Sequence, residues 1–165
     1  MFDHEQTSRD TKWHKEVLKP DKDLLRHPTD GEAWKSFDTA YLEFASDPRN
    51  LRLGLAIDGF NPFGNMSNSY SMWPVLVMPY NLPPMGCTDQ SNCLMALLIL
   101  GPKSPGKDFD VFMQPLIKDL KELWKGVRTR DVLAKPDDEP FLLRADVLWC
   151  VHDYPALGTM SGRVT

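Results

Sequence analysis

Leu51-Arg-Leu-Gly-Leu-Ala-Ile-Asp58-Gly-Phe-Asn-Pro-Phe-Gly64 is the stretch of the chain that decides the fold. Its apolar run predicts a strand over Leu51–Ile57 with both faces covered, because apolar residues follow one another without alternating. The run ends at a single carboxylate, Asp58, and then breaks into glycine, asparagine and proline, which are turn residues. The sequence therefore predicts a strand that delivers one acid to an edge of a sheet, within reach of a metal ion or a substrate.

A second apolar run, from Phe141 to Val151, ends in the same way, in His152-Asp153-Tyr154-Pro155. If the two strands are neighbours in one sheet, Asp58 and Asp153 converge, and carboxylate oxygens are ligands that Mg²⁺ prefers. The alternative is that both aspartates are turn formers, since Asp before Gly and Asp shortly before Pro are common in turns. Spacing alone leaves both interpretations open.

Two helices are predicted around these strands. Thr29-Asp-Gly-Glu32 opens a helix that Thr29 or Asp30 can cap, and its helical spacing ends at Asp47-Pro48, because the residue before a proline disfavours the α conformation. A second helix is predicted over Val111–Trp124, and the aspartates of Asp108-Phe-Asp110 are better explained as its cap than as metal ligands. The charged segment from Lys125 to Pro140 is predicted to be a loop.

Two further strands are predicted, at Met72–Pro79 and Cys93–Leu100. The first has a proline near each end, which suits the ends of a strand or an edge of the sheet and not a central position. The second is apolar on successive residues, which favours a strand with two covered faces. The polar segment Asn65–Ser69 is short enough to join strands one and two as a hairpin. The predicted order is helix, three strands, helix, fourth strand, which defines an α/β fold.

Length and composition narrow the class of protein. A chain of 165 residues with 42% hydrophobic residues fits one domain with a packed core, and residues 1–23 are expected to form a loosely ordered arm. The net charge of −4 gives no basic footprint for nucleic acid. Three cysteines without a CxxC pair are expected to be reduced thiols of an intracellular protein. Neither a signal peptide nor a membrane-spanning run is predicted.

The chain resembles plant transposases of the CACTA (En/Spm) type in a series of short, compositionally unusual blocks. The blocks occur in the same order and extend from about residue 24 to residue 162. They are Leu25-Arg-His-Pro28 with Ala33-Trp34, Asp47-Pro-Arg-Asn-Leu-Arg-Leu-Gly-Leu55, Asp58-Gly-Phe-Asn-Pro-Phe-Gly64, Tyr70-Ser-Met-Trp-Pro-Val75, Pro79-Tyr-Asn-Leu-Pro-Pro84, Gly101-Pro-Lys-Ser-Pro-Gly106, Gln114-Pro-Leu-Ile117 with Leu120-Lys-Glu-Leu-Trp124, and Asp153-Tyr-Pro-Ala156.

The resemblance implies a ribonuclease-H-like catalytic core of the DDE class, which cuts and rejoins DNA strands with Mg²⁺ in the nucleus. In that fold the first strand carries the first acid and the fourth strand the second, so Asp58 and Asp153 are the expected catalytic residues and metal ligands. The implied partners are DNA and further copies of the chain. Neither a membrane nor a small-molecule cofactor is expected.

The resemblance also implies a third acid well downstream of the second, which falls outside this chain because the sequence ends at Thr165. We therefore expect residues 24–165 to form a partial ribonuclease-H-like domain, truncated before its sheet and helices are complete and inactive by itself. An incomplete sheet also predicts poor solubility or self-association. The alternative is a domesticated, non-catalytic module whose phenylalanine- and proline-rich loops bind another protein.

Overall fold

A computed structural model describes residues 1–19, 21, 24–64, 70–153 and 156–158. The expected turn at residues 65–69 lies outside the described residues, as do positions 154–155 and 159–165. The described part of the chain has a mixed α/β fold with a four-stranded and a two-stranded sheet. The six strands, in chain order, are β1 (Leu51–Ile57), β2 (Ser71–Pro79), β3 (Leu94–Gly101), β4 (Val127–Thr129), β5 (Phe141–Leu143) and β6 (Ala145–His152).

The four-stranded sheet has the order β3-β2-β1-β6. β2 is antiparallel to both of its neighbours, β1 and β3, whereas β6 lies parallel to β1. A parallel neighbour requires a crossover, which here contains a long helix and the small β4–β5 sheet. The α-helices of the described residues are α1 (Glu5–Asp10), α2 (Trp13–Glu16), α3 (Glu32–Ala40), α4 (Leu42–Ser46), α5 (Pro84–Cys87) and α6 (Phe109–Lys125).

The main core lies between one face of the sheet and α6. Alternate residues of β1, from Leu51 to Ile57, are buried on this face together with Val75 of β2 and Ile99 of β3. The 17-residue helix α6 packs Phe109 and Met113 against them, because its apolar residues recur at helical spacing. The predicted bounds of β1 are confirmed. The helix predicted over Val111–Trp124 is also confirmed as α6, which begins two residues earlier and ends one residue later.

Pro79 ends β2, in keeping with the prediction that its prolines lie at strand ends. The prediction that β2 is not a central strand is wrong, as is the prediction that both faces of β3 are covered. β2 lies in the interior, and β3, with Leu94 65% exposed and Met95 56% exposed, forms an edge. The interior strand tolerates Pro74 because of where it falls. The pairs Ile57–Val75 and Phe60–Met72 place Pro74 opposite Asp58, at the point where β1 gives way to a loop. The proline has no N–H, but its position lies beyond the last β1–β2 pair, so none of the paired residues loses a ladder hydrogen bond.

The long run predicted as one strand from Phe141 to Val151 is two strands, β5 and β6. The chain bends at Arg144, whose N–H donates to Asn50 Oδ1 at 2.8 Å and whose carbonyl accepts from the N–H of Leu51 at 2.9 Å. β5 then pairs with β4, which lies inside the segment predicted to be a loop. A three-residue strand among charged residues gives no clear periodic signal.

The predicted helix before β1 is present but interrupted. Tyr41, with φ −123° and ψ 66°, separates α3 from α4, and the helix ends before Asp47 as predicted. The predicted cap is wrong, because Gly31 occupies the N-cap position and makes no side-chain cap bond. Asp30 instead accepts a hydrogen bond from the N–H of Arg26 at 2.9 Å.

We expected residues 1–23 to form a loosely ordered arm. Within this segment the described residues 1–19 contain α1 and α2 and contact the rest of the fold. Ser8 and Thr11 are fully buried. The Ser8 hydroxyl donates to Asp131 Oδ1 at 2.5 Å, and Lys12 Nζ lies 3.3 Å from Asp131 Oδ2. These contacts are polar and join positions far apart in the chain, so no hydrophobic pattern in the sequence indicates them.

We expect the stability of the fold to fall with acid because of His14. Burial, and secondarily the charge of Arg52, lower the pKa of His14 from 6.5 to about 4. The unfolded chain therefore binds more protons than the folded chain between these values. The contribution is fully present above pH 6.5 and is lost as the pH falls toward 4, by about 1–3 kcal/mol.

Urea denaturation at a series of pH values measures this loss. His14→Gln should flatten the dependence, although only in part, because burial also lowers the pKa of His27. His4→Gln, at an exposed histidine, is the matched control and should keep the full dependence. An unchanged slope in His14→Gln would contradict the assignment.

Candidate metal centre at the ends of two parallel strands

The two sequence-predicted acids lie side by side at one end of the sheet. β1 and β6 are parallel neighbours, and their last paired residues are Ile57 and His152. The next residue of each strand is an aspartate, Asp58 or Asp153, and neighbouring strands lie about 4.8 Å apart. Both aspartates are exposed. The strand register thus places two aspartates that are distant in the sequence at neighbouring positions at one end of the sheet.

A β-bulge in β6 sets this alignment. The register of β1 against β6 shifts between Leu53 and Gly54, where Leu53 pairs with Val147 and Gly54 pairs with Trp149. Leu148 is therefore an extra residue in β6, which is the definition of a bulge. Beyond the bulge the pairing continues without a further shift to Ile57 and His152. Because the bulge has moved the register by one residue, Asp153 follows the last pair; in the register before the bulge, His152 would do so.

Asp153 also serves in the local turn. Its Oδ1 accepts a hydrogen bond from the N–H of Ala156 at 2.8 Å, and its carbonyl accepts from the N–H of Leu157 at 3.0 Å. The turn-former interpretation therefore accounts for Oδ1 of Asp153 and, within the described part of the chain, no hydrogen bond from another residue reaches Oδ2. No hydrogen bond from another described residue reaches the Asp58 carboxylate.

The backbone on both sides of Asp58 is held in place. On one side is the β1 ladder, and on the other Phe60 exchanges two backbone hydrogen bonds of 2.9 Å with Met72. Between them, a Cβ on Gly59 would lie 2.5 Å from Cε2 of Trp73, so only glycine fits over this buried ring. The turn that carries Asp58 is therefore anchored at both ends.

The donor set suits a hard cation but is small. Two aspartates provide oxygen ligands of the kind that Mg²⁺ takes, and Mg²⁺ is commonly held by one or two carboxylates with water and phosphate oxygens completing its shell. No group of three or more His, Cys, Asp or Glu side chains that could hold a metal ion occurs among the described residues. The two aspartates therefore fit a Mg²⁺ ion whose remaining coordination positions are filled by water and by oxygens of a substrate.

A second group of potential ligands is structural. Cys87 Sγ lies 3.5 Å from His27 Nε2, and both atoms lie 2.9 Å from the carbonyl oxygen of Leu82. Burial raises the pKa of the Cys87 thiol to about 11, so it stays protonated and unreactive near neutral pH. This pair fastens the segment before β3 to the chain preceding α3.

The chain belongs to a family of transposases. Its residues 22–165, most of the sequence, match the family model described as transposase family tnp2. Comparison with curated proteins and with solved structures found no match. Among the described residues, no helix is both long enough and apolar enough to cross a membrane.

Proposed function

We propose that residues 24–165 form the opening part of a ribonuclease-H-like catalytic core of the DDE class, in a transposase of the plant CACTA (En/Spm) type. Family membership supports the transposase assignment. The topology supports the core assignment, since three antiparallel strands are followed by a helix and by a strand that returns parallel to the first. The proposed activity is cleavage and transfer of DNA strands in the nucleus.

In this proposal Asp58 and Asp153 hold Mg²⁺. The observation that carries it is the pairing of Ile57 with His152, which puts both acids at the same end of neighbouring parallel strands. When bound, the ion supplies charge neutralisation at the phosphodiester and activates water or a 3′-hydroxyl for attack. The chain's own part is to fix the two carboxylates, which the anchored turn at Asp58 and the hydrogen bond from Ala156 to Asp153 accomplish.

Two carboxylates leave most positions around the ion to water and to phosphate oxygens. We therefore propose that this chain binds Mg²⁺ weakly without DNA and needs a third acid, or a further copy of the chain, for catalysis. The two free edges of the sheet in the described residues, β3 and β6, leave room for such assembly.

Divalent binding tests the proposal directly. We expect Asp58→Asn and Asp153→Asn each to weaken Mn²⁺ or Mg²⁺ binding by at least about 100-fold, since even outer-shell partners of metal ligands are worth 10–100-fold. Calorimetric titration of the purified chain measures the affinity. Asparagine is chosen because its amide oxygen can still accept the hydrogen bond from Ala156, which separates the ligand role of Asp153 from its turn role.

Asp137→Asn is the matched control, because Asp137 is exposed and lies in the segment between β4 and β5, away from the two acids along the sheet. It should bind the ion as the unmodified chain does. If Asp58→Asn and Asp153→Asn leave divalent binding unchanged, the metal centre is refuted.

The second candidate is a non-catalytic module that binds another protein. The net charge of −4 and the small donor set among the described residues favour it. This candidate requires neither aspartate for its interaction. Unchanged metal binding in the two asparagine variants would therefore support it against the catalytic core.

A further inference from the structure

Two phenylalanines beside Asp58 are exposed. Phe60 is 48% exposed and Phe63 is 62% exposed, and both lie in the loop that begins directly after Asp58. Tyr70, which precedes β2, meets Phe63 edge to face with ring centroids 5.6 Å apart. Exposed apolar residues that are grouped, unlike scattered ones, mark candidate binding surfaces, and this group lies beside the two acids.

The loop holds these rings outward by local hydrogen bonds. Phe60 is fixed by its two backbone bonds to Met72, and Asn61 Oδ1 accepts the N–H of Phe63 at 3.0 Å. Gly64 then turns the chain with φ +60°, a conformation that favours glycine. Local hydrogen bonds therefore hold the backbone that carries Phe60 and Phe63, and both rings are exposed on it.

Basic side chains lie at the same end of the sheet. Ser71 pairs with Gly101, so the connection that follows β3 begins beside the start of β2, where Tyr70 lies. This connection carries Lys103 and Lys107, both exposed. Asp108 and Asp110 follow directly, so this segment has no net positive charge, and Lys103 and Lys107 act as individual cations beside the aromatic rings.

We propose that Phe60, Phe63 and Tyr70, the aromatic loop, form a stacking surface for an unpaired nucleobase of the DNA strand whose phosphodiester is placed at Asp58 and Asp153. This inference rests on the proposed function. Bases stack on exposed aromatic rings regardless of sequence, and lysines beside such rings bind the backbone phosphates. A base in a paired duplex has no free face, so the surface selects a single-stranded or locally opened strand.

The test uses the whole chain and a short single-stranded oligonucleotide carrying 2-aminopurine, at low salt and in EDTA. We expect binding to quench the 2-aminopurine fluorescence, because stacking does so. Phe63→Leu should weaken binding by about tenfold and remove most of the quenching, whereas Phe63→Tyr should retain both. Tyr41→Leu, at a 46% exposed tyrosine beside the far end of α6, is the control and should change neither.

Asp58→Asn in EDTA separates this inference from the proposed function, since stacking requires no metal. If that variant stacks normally and yet keeps its Mn²⁺ affinity, the metal centre fails and the stacking surface stands. Phe60→Leu is the second variant should Phe63→Leu fold poorly by thermal melting. The inference is overturned if leucine at either position leaves affinity and quenching unchanged, or if it alters only the oligomeric state in sedimentation.

Discussion

Arg52→Ala is expected to lower the free energy of unfolding by about 3–5 kcal/mol, because it removes one partner of a mostly buried charge network. The Arg52 side chain is 1% exposed. Its Nη1 donates to the carbonyl of Asn50 at 2.9 Å, and its Nη2 donates to Asp38 Oδ1 at 2.5 Å. The guanidinium also lies 4.9 Å from the ring centroids of Trp34 and Phe44. Alanine would leave a cavity and a carboxylate without its cation.

Urea denaturation measures this loss. Arg52→Met, which keeps the aliphatic stem against the two rings, should lose less than Arg52→Ala. Arg9→Ala removes an arginine whose ion pair with Glu5 is mostly exposed, and it should change stability by no more than about 0.5 kcal/mol. A loss below about 1 kcal/mol in Arg52→Ala would show that the network is not a main support of the fold.

Asn81→Ala is expected to cost about 2–4 kcal/mol, since the side chain is fully buried and makes three hydrogen bonds. Its Oδ1 accepts the N–H of Arg52 at 2.7 Å, and its Nδ2 donates to the carbonyls of Pro48 and Asn50 at 3.1 and 2.8 Å. Alanine would leave the backbone N–H of Arg52 buried without an acceptor.

The matched comparison is Asn92→Ala, where one side-chain bond of 3.1 Å to the carbonyl of Gly86 is lost from a half-buried site. It should cost about 1 kcal/mol. Equal losses in Asn81→Ala and Asn92→Ala would mean that burial of the Asn81 network adds nothing.

Arg52 and Asn81 act together with Asn50 at the end of the sheet opposite the acids. Asn50 is 3% exposed and binds both the end of α4, through the Phe44 carbonyl, and the start of β6, through the N–H of Arg144. Asn81 continues the β1–β2 ladder by accepting from Arg52. The network therefore fixes where β1 begins against both neighbours, and with it where Asp58 emerges.

The sequence predicted the parts of the fold that depend on continuous apolar runs. β1 was expected over Leu51–Ile57 and has those bounds, and the helix after β3 differs only in its ends. The placement of β2 inside the sheet was not predictable from its prolines, because whether Pro74 disturbs a ladder depends on where the partner strand ends. That information lies in the pairing and not in the local residues.

The sequence also predicted only part of the candidate site, namely the two aspartates and not the aromatic loop. Asp58 and Asp153 were identified as candidates because each follows an apolar run and precedes turn residues. The aromatic loop was anticipated only within the alternative interpretation, as a phenylalanine-rich loop that binds another protein, and not as a surface for a nucleobase. Phe60 and Phe63 stand in a segment without strand or helix periodicity, and that is the signal that could have identified exposed rings.

The bulge at Leu148 has a consequence for how this region tolerates changes in length. Deleting Leu148 would leave Val147 opposite Leu53 and Trp149 opposite Gly54, so the ladder would become continuous and Asp153 would still follow the last pair. A deletion beyond the bulge, between Trp149 and His152, would instead bring Asp153 abreast of Ile57 and turn the side chains after it to the opposite face of the sheet. An insertion there would move Asp153 one position past Asp58. The site therefore tolerates loss of the bulge residue but not a change of length between the bulge and the second acid.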